Sequence, residues 1–160
     1  MRNWARKCLK HHSRCRGTIS RGQIEEHELH RLPTRVIDVG CPGSEDEPRL
    51  VETAGYPKGH WVALSHCWGS SEHHPPKTTK TNLNEHKEGI AFSKFPKTFL
   101  EAIILTRALG FRYLWADSLC IVQDDVEDWL LESKNMGLVY QHAVITLAAS
   151  GAENSSEGLF

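Results

Sequence analysis

The side chains best suited to chemistry lie in one stretch of the chain, residues 111–140. Asp117 and Ser118 interrupt a short apolar run, and Glu132 follows Trp129 by three residues in a later helical pattern. A carboxylate at the edge of an apolar helical stripe can sit at the mouth of a crevice rather than in bulk water, and ligands of open α/β sheets bind at such strand-end loops. The alternative is that Asp117 and Asp125 only cap and turn the chain, with Glu132 solvated.

A second cluster, His66-Cys67-Trp68-Gly69, ends an apolar run that begins at His60. Polar, aromatic and glycine residues at the end of a strand suit a ligand-binding loop. A Cys–His catalytic pair would need Cys67 and His66 to converge, whereas neighbours on a strand point to opposite faces. Cys67 is therefore interpreted as a packed thiol rather than a nucleophile.

A third cluster lies near the N-terminus, where Cys8, His11 or His12, and Cys15 could supply three zinc ligands. Structural zinc sites usually have four ligands in short paired spacings, and His27 would have to close a long loop. We therefore predict no tight metal site here, and a short lead-in helix with buried thiols instead.

Alternating patterns predict the elements that position these residues. Apolar runs predict strands near 61–65, 113–116 and 143–148, and helical stripes predict helices near 97–109 and 126–140. This order predicts an α/β fold with an open, mostly parallel sheet and helices covering it. Parallel strands present their carboxyl ends at one edge, so residues 65–69 and 117–120 should border one crevice.

Further patterns complete the predicted fold. Residues 34–39 and 49–52 read as strands that could pair as a hairpin, and residues 70–94 as a long polar loop with a short turn. The first helix should bury Phe99, Ala102, Ile103 and Thr106. The second should bury a stripe of Val126, Trp129, Leu130, Met136 and Tyr140, together with Ser133 and Gly137. Trp115, Ile103 and Leu147 should be buried together.

Composition bounds the function class. The chain has 160 residues, 39% of them hydrophobic, with a formal net charge of −1, which gives no global basic field for nucleic acid. No apolar run approaches the length needed to cross a bilayer, and no hydrophobic segment follows the basic N-terminus as in a signal peptide. Five cysteines then fit reduced thiols in the cytoplasm. The ending, Gly158-Leu159-Phe160, fits either a fragment of a longer protein or a short gene product.

Taken together, the motifs resemble the fungal heterokaryon-incompatibility (HET) domain. The matching segments run in order along the chain: Leu32-Pro33-Thr34-Arg35-Val36-Ile37-Asp38-Val39, Trp61-Val62-Ala63-Leu64-Ser65-His66-Cys67-Trp68-Gly69, Phe95-Pro96-Lys97-Thr98-Phe99, Arg112-Tyr113-Leu114-Trp115-Ala116-Asp117-Ser118-Leu119-Cys120-Ile121, Gln123-Asp124-Asp125, Asp128-Trp129, Glu132-Ser133 and Gly158-Leu159-Phe160. The resemblance divides the chain into a basic lead-in segment, residues 1–31, and a HET domain, residues 32–160. Ala116 departs from the Ile or Val that the family commonly carries, a change that should not alter chemistry.

The resemblance implies a role in fungal nonself recognition and the cell death that follows fusion of incompatible hyphae. It also implies a distant relation to TIR domains, with a flavodoxin-like sheet that has helices on both faces. Some TIR domains hydrolyse NAD with a helical glutamate in a Trp-x-x-Glu-like setting, and Trp129-Leu130-Leu131-Glu132 has that form. The TIR loops that help to hold the nucleotide have no clear match here.

On this resemblance Glu132 is the candidate catalytic residue. The candidate substrate-binding residues are Ser65, Trp68, Gly69, Asp117, Ser118 and Trp129. Trp68 would stack on the base, and Asp117 and Ser118 would bond ribose or phosphate, although repulsion from the phosphates counts against Asp117. NAD would be a substrate, and neither a cofactor nor a metal is expected.

The competing hypothesis is a signalling module without enzymatic activity, which acts by self-association or by binding other incompatibility proteins. Neither nucleic acid nor membrane is expected as a partner. Glu132, Trp68 and Ser65 lining one pocket would favour catalysis, whereas a flat exposed helix would favour assembly.

Overall fold

A computed structural model describes residues 29–41, 43–55, 58–70 and 74–159. Most of the lead-in segment, including the candidate zinc ligands, lies outside these residues. The strands are β1 (Arg35–Asp38), β2 (Arg49–Glu52), β3 (Val62–Ser65), β4 (Tyr113–Ala116) and β5 (Ile145–Ala148). The helices are α1 (Leu83–Glu88), α2 (Lys97–Leu109), α3 (Asp117–Cys120) and α4 (Val126–His142), with a 3₁₀ turn at Phe92–Lys94.

The five strands form one open sheet in the order β2-β1-β4-β3-β5. β3 pairs in parallel with β4 and β5, while β1 pairs antiparallel with both β4 and β2. Four strands therefore run in one direction and only β1 runs against them. The predicted mostly parallel α/β sheet, its three parallel strands and the β1–β2 hairpin are confirmed.

The α2 helix forms where the sequence predicts it. Pro96 lies directly before its first residue, and Gly110 ends it in the left-handed conformation, at φ 89°, donating its N–H to Arg107 O. Its buried positions include the predicted Phe99 and Ile103. Ile103, Trp115 and Leu147 belong to one core cluster, as predicted.

The α4 helix begins where predicted but faces differently. Asp125 caps it, accepting hydrogen bonds from the backbone N–H groups of Glu127 and Asp128 at 3.1 and 3.3 Å. The predicted buried stripe is wrong in its first half, since Val126 is 73% exposed. Glu132 instead lies inside, 2% exposed.

Polar anchors explain this rotation of α4. Asp128 Oδ2 accepts hydrogen bonds from Arg35 Nη2 at 2.5 Å and from Val122 N at 2.8 Å. Further along, Trp61 Nε1 donates to Val139 O at 3.1 Å. Buried hydrogen bonds to the Asp128 carboxylate stabilise α4 more than burial of a few further apolar side chains would. The side of α4 that carries Asp128 therefore faces inward.

Residues 70–94 are more regular than the predicted polar loop, because they contain α1 and the 3₁₀ turn. The Asn82 side chain organises the chain before α1, accepting from Thr79 N at 2.8 Å and donating to Lys77 O at 2.9 Å. The buried His86 then bonds Thr78 Oγ1 at 3.0 Å. Hydrogen bonds of polar side chains thus fix the start of α1. The segment lacks the apolar periodicity by which a helix is recognised in a sequence. None of the described helices is both long and apolar enough to span a bilayer.

Candidate functional site

The loops that follow β3 and β4 meet at the carboxyl edge of the sheet. Leu64 and Ala116 are register partners in the parallel pair, so the chain leaves both strands at the same level. Trp68 Nε1, from the first loop, donates to Asp117 Oδ2, from the second, at 3.0 Å. The predicted juxtaposition of residues 65–69 and 117–120 is therefore present.

Asp117 connects these loops. Its Oδ1 accepts the backbone N–H of Ser118 at 2.7 Å and lies 3.8 Å from His66 Nδ1, while its Oδ2 holds the Trp68 indole. About a quarter of its side chain remains exposed. Asp117 thus fixes the orientation of Trp68, a role beyond the ligand contact that was predicted for it.

His66 lies beneath the loops, with its side chain buried. Its ring packs edge-on against Phe99 of α2, with 4.9 Å between centroids, and neither ring nitrogen has a hydrogen-bond partner among the described residues. Burial lowers the pKa of His66, and the Asp117 carboxylate opposes that shift only in part. The neighbouring Cys67 is exposed, so its interpretation as a packed thiol is wrong: it lies in the loop beyond the end of β3, outside the core. With His66 buried and Cys67 exposed, the two side chains do not converge as a catalytic pair would.

Glu132 reaches the same region from α4. Its Oε1 is buried and has no hydrogen-bond partner in the described part of the chain. Burial raises the pKa of the Cys120 thiol to about 12, and the Asp117 and Glu132 carboxylates add to that increase, so both acids lie near this thiol. Cys120 is therefore held as an inert neutral thiol.

Tyr140 closes the α4 side of the cluster. Its hydroxyl donates to Leu64 O at 3.3 Å, and its ring packs edge-on against Trp115 at 5.4 Å between centroids. Burial raises the pKa of Tyr140 to about 12, with Asp117 contributing and a hydrogen bond with Ser65 opposing the shift. Tyr140 thereby links the exposed Ser65 to the helix that carries Glu132.

Hydrogen bonds bring three of the predicted site residues together, namely Trp68, Asp117 and Ser118. Ser65 is linked to them through Tyr140, and Glu132 acts on the same Cys120 thiol as Asp117 but makes no hydrogen bond to the others among the described residues. Gly69 borders the cluster but faces the chain after β5, because a Cβ there would lie 2.7 Å from Asn154 Cβ. Trp129 is 48% exposed, and its indole N–H makes no hydrogen bond among the described residues. Neither Gly69 nor Trp129 is joined to the cluster by a hydrogen bond or ring contact.

Two residues that position the site were not predicted to do so. Thr78 holds α3 in position through two hydrogen bonds. Its backbone N–H donates to Ser118 O at 3.0 Å, and its hydroxyl donates to Leu119 O at 2.6 Å. Arg35 holds the next loop, donating to Cys120 O at 2.7 Å. Both lie more than 35 residues away in sequence, so only the fold reveals them.

The site offers a buried carboxylate, a Ser118 hydroxyl that no other described residue bonds, and an aromatic surface at a strand edge. In the described ranges no group of three or more His, Cys, Asp or Glu side chains could hold a metal ion. A cavity of about 510 Å³ lies at the opposite edge of the sheet, where Asp38, Arg49 and Arg112 line it. It shares no residue with the carboxyl-edge cluster.

The chain was compared with known proteins. Neither a curated protein nor a solved structure matches it. The model of the family described as "Heterokaryon incompatibility protein (HET)" matches residues 61–160, which is more than half of the chain and contains the whole carboxyl-edge cluster. The chain therefore belongs to the heterokaryon incompatibility (HET) family.

Proposed function

We propose that this chain is a fungal nonself-recognition domain that triggers cell death by hydrolysing NAD at the carboxyl edge of its sheet. Membership of the HET family supports the incompatibility role. The hydrolytic step is supported by the chemistry of the cluster built around Glu132.

The observation that carries this proposal is the state of Glu132. Its side chain is almost fully buried, and one carboxylate oxygen has no partner within the part of the chain that the structure describes, an arrangement that costs stability. A buried polar atom without a partner needs an explanation, and a site where a ligand supplies the missing interaction is one. The Ser118 hydroxyl at the same edge, which no other described residue bonds, adds a second polar atom that a ligand could satisfy.

The sheet topology supports a flavodoxin-like or TIR-like arrangement. Counted along the chain, β3, β4 and β5 are three successive strands in the spatial order second-first-third, the start of the doubly wound order 2-1-3-4-5. Contacts from opposite sides of the strands support helices on both faces: His66 packs on Phe99 of α2, and Trp115 on Tyr140 of α4. In such sheets ligands bind outside the carboxyl ends, beside the first strand, which here ends at Ser65.

The proposed reaction needs few groups. Cleavage of the nicotinamide–ribose bond creates positive charge at the ribose carbon, and a carboxylate near that carbon stabilises it as in glycoside hydrolysis. Nicotinamide leaves as a neutral molecule, so no strong general acid is required. Glu132 would face the ribose, Trp68 would stack on a base, and Ser65 and Ser118 would bond ribose or phosphate oxygens.

The decisive experiment is Glu132→Gln, which keeps the volume and removes the charge. We expect NAD consumption to fall by about 10²–10³-fold, as for removal of a principal transition-state stabiliser, while the free energy of unfolding changes by less than about 1 kcal/mol. Expression should arrest or kill cells for the parent chain and not for the variant. Glu45→Gln, a change at an exposed residue, is the matched control and should keep full activity.

Full toxicity of Glu132→Gln with unchanged cellular NAD would contradict catalysis. The alternative, a module that signals by association, would then stand. One feature favours that alternative independently, namely the large apolar side chains that α4 exposes.

A further inference from the structure

The outer surface of α4 is unusually apolar. Among the described residues, seven large hydrophobic side chains are exposed, and five of them belong to this helix: Val126, Trp129, Leu130, Leu131 and Leu138. Exposed apolar side chains scattered singly are ordinary, whereas a concentration on one helix marks an interaction surface.

Two charges flank the centre of this surface symmetrically. Glu127 and Lys134 lie seven residues apart, which is two turns or about 10 Å along the axis, so both point to the same side of α4. Leu130 and Leu131 lie at the midpoint between them. Neither charge takes part in an ion pair within the described ranges, and they are too far apart to pair with each other.

We propose that this surface binds a second copy of the chain, with the two α4 helices antiparallel about a two-fold axis between Leu130 and Leu131. The axis places Glu127 of each copy opposite Lys134 of the other, because the two residues are equally distant from it. A two-fold interface must be self-complementary in this way. The result is an apolar centre between two opposite-charge pairs at the rim.

This surface is independent of the proposed NAD hydrolysis. Glu132 lies on the inner side of the same helix, and the docking residues lie on the outer side. A single helix pair buries less than the roughly 800 Å² per partner of a standard interface. We therefore expect a dimer whose population rises with protein concentration.

Sedimentation velocity of the whole 160-residue chain over a concentration series tests the proposal. The parent should shift from monomer to dimer, and Leu130→Ser/Leu131→Ser should remain monomeric. Ile104→Ser removes an aliphatic side chain of α2 that is 63% exposed, more than Leu130 or Leu131, and should dimerise like the parent. Glu132→Gln should also dimerise like the parent, whatever it does to NAD consumption.

A charge exchange tests whether the partner is a second copy. Glu127→Lys or Lys134→Glu alone should weaken the dimer by about tenfold or more, because each reversal sets like charges against each other at both ends. The double variant Glu127→Lys/Lys134→Glu should restore it. A parent chain that stays monomeric up to about 1 mM would overturn the proposal.

Two other results would also overturn it. The first is failure of the double exchange to restore the dimer. The second is a monomeric chain that binds anionic lipid vesicles and loses that binding in Leu130→Ser/Leu131→Ser, which would assign the surface to a membrane.

Discussion

Two buried carboxylates, at opposite edges of the sheet, have contrasting surroundings. Asp38 accepts two hydrogen bonds from Arg112, at 2.9 and 2.8 Å, and one from the backbone N–H of Gly40 at 3.0 Å. Glu132 is buried more deeply, yet its Oε1 has no partner among the described residues. The first acid is satisfied by its own fold, and the second is not.

The pKa of Asp38 reflects that satisfaction. Burial alone would raise it, but the hydrogen bonds from Arg112 and Gly40 and the nearby guanidinium charges prevail and lower it. A carboxylate whose oxygens are hydrogen-bonded, such as that of Asp38, stabilises the contact between neighbouring strands. A buried carboxylate oxygen without a partner lowers stability, so its presence indicates a role other than stabilising the fold. The cavity beside Asp38 is therefore the weaker candidate for a site, although it is roomy.

The largest expected effect comes from the core beneath the carboxyl edge. Trp115 is 1% exposed and packs against Tyr140, so Trp115→Ala should lower the free energy of unfolding by about 3–5 kcal/mol. Trp115→Phe keeps the aromatic packing and should cost only about 1–2 kcal/mol. Denaturant titration measures both, and an alanine variant as stable as the parent would show that this edge is not a packed core.

The two carboxylates can be compared directly by substitution. Asp38→Ala should destabilise the chain by about 2–3 kcal/mol, less than for a fully buried pair because Arg112 is half-exposed. Glu132→Gln should change stability by less than about 1 kcal/mol, since little is lost when an unsatisfied oxygen becomes an amide. A Glu132→Gln variant as destabilised as Asp38→Ala would mean that Glu132 is structural, and the contrast would disappear.

The sheet was predictable because its strands are short apolar runs with clear ends. Periodicity alone located β3, β4 and β5 and the helix between Pro96 and Gly110. It failed for α1, whose start depends on side-chain bonds of Asn82 and Thr78 rather than on an apolar stripe.

The meeting of the strand-end loops was predictable, whereas the orientation of the side chains on α4 was not. Strand ends bring Ser65, Trp68 and Asp117 together through topology, which the order of elements determines. The inward rotation of Glu132 depends on Arg35 binding Asp128, a contact between residues 93 positions apart. No local pattern encodes it, and the predicted apolar stripe instead placed the exposed Val126, Trp129 and Leu130 on the buried side of α4.

The smallest expected effect concerns two buried histidines, which differ in the same way as the two carboxylates. His86 is hydrogen-bonded to Thr78, whereas neither ring nitrogen of His66 has a partner among the described residues. Burial lowers the pKa of both, so below about pH 6.5 the unfolded chain binds more protons than the folded one. Stability should therefore be highest above that pH and decrease as the pH falls toward the folded-state values. The slope should not exceed about 1.4 kcal/mol per pH unit for each histidine.

Denaturant titrations at pH 7.5 and pH 5.5 measure this decrease, above the range in which carboxylates titrate. His86→Gln should reduce the loss of stability between pH 7.5 and pH 5.5, because one of the two histidines no longer titrates. It should also lower the free energy of unfolding at pH 7.5 by about 1 kcal/mol, because the hydrogen bond to Thr78 is altered. His66→Gln should reduce the decrease without that second loss, since no described residue bonds its ring. Equal losses at pH 7.5 would show that His66 is as well satisfied as His86, and the carboxyl edge would then lack one of its unpartnered groups.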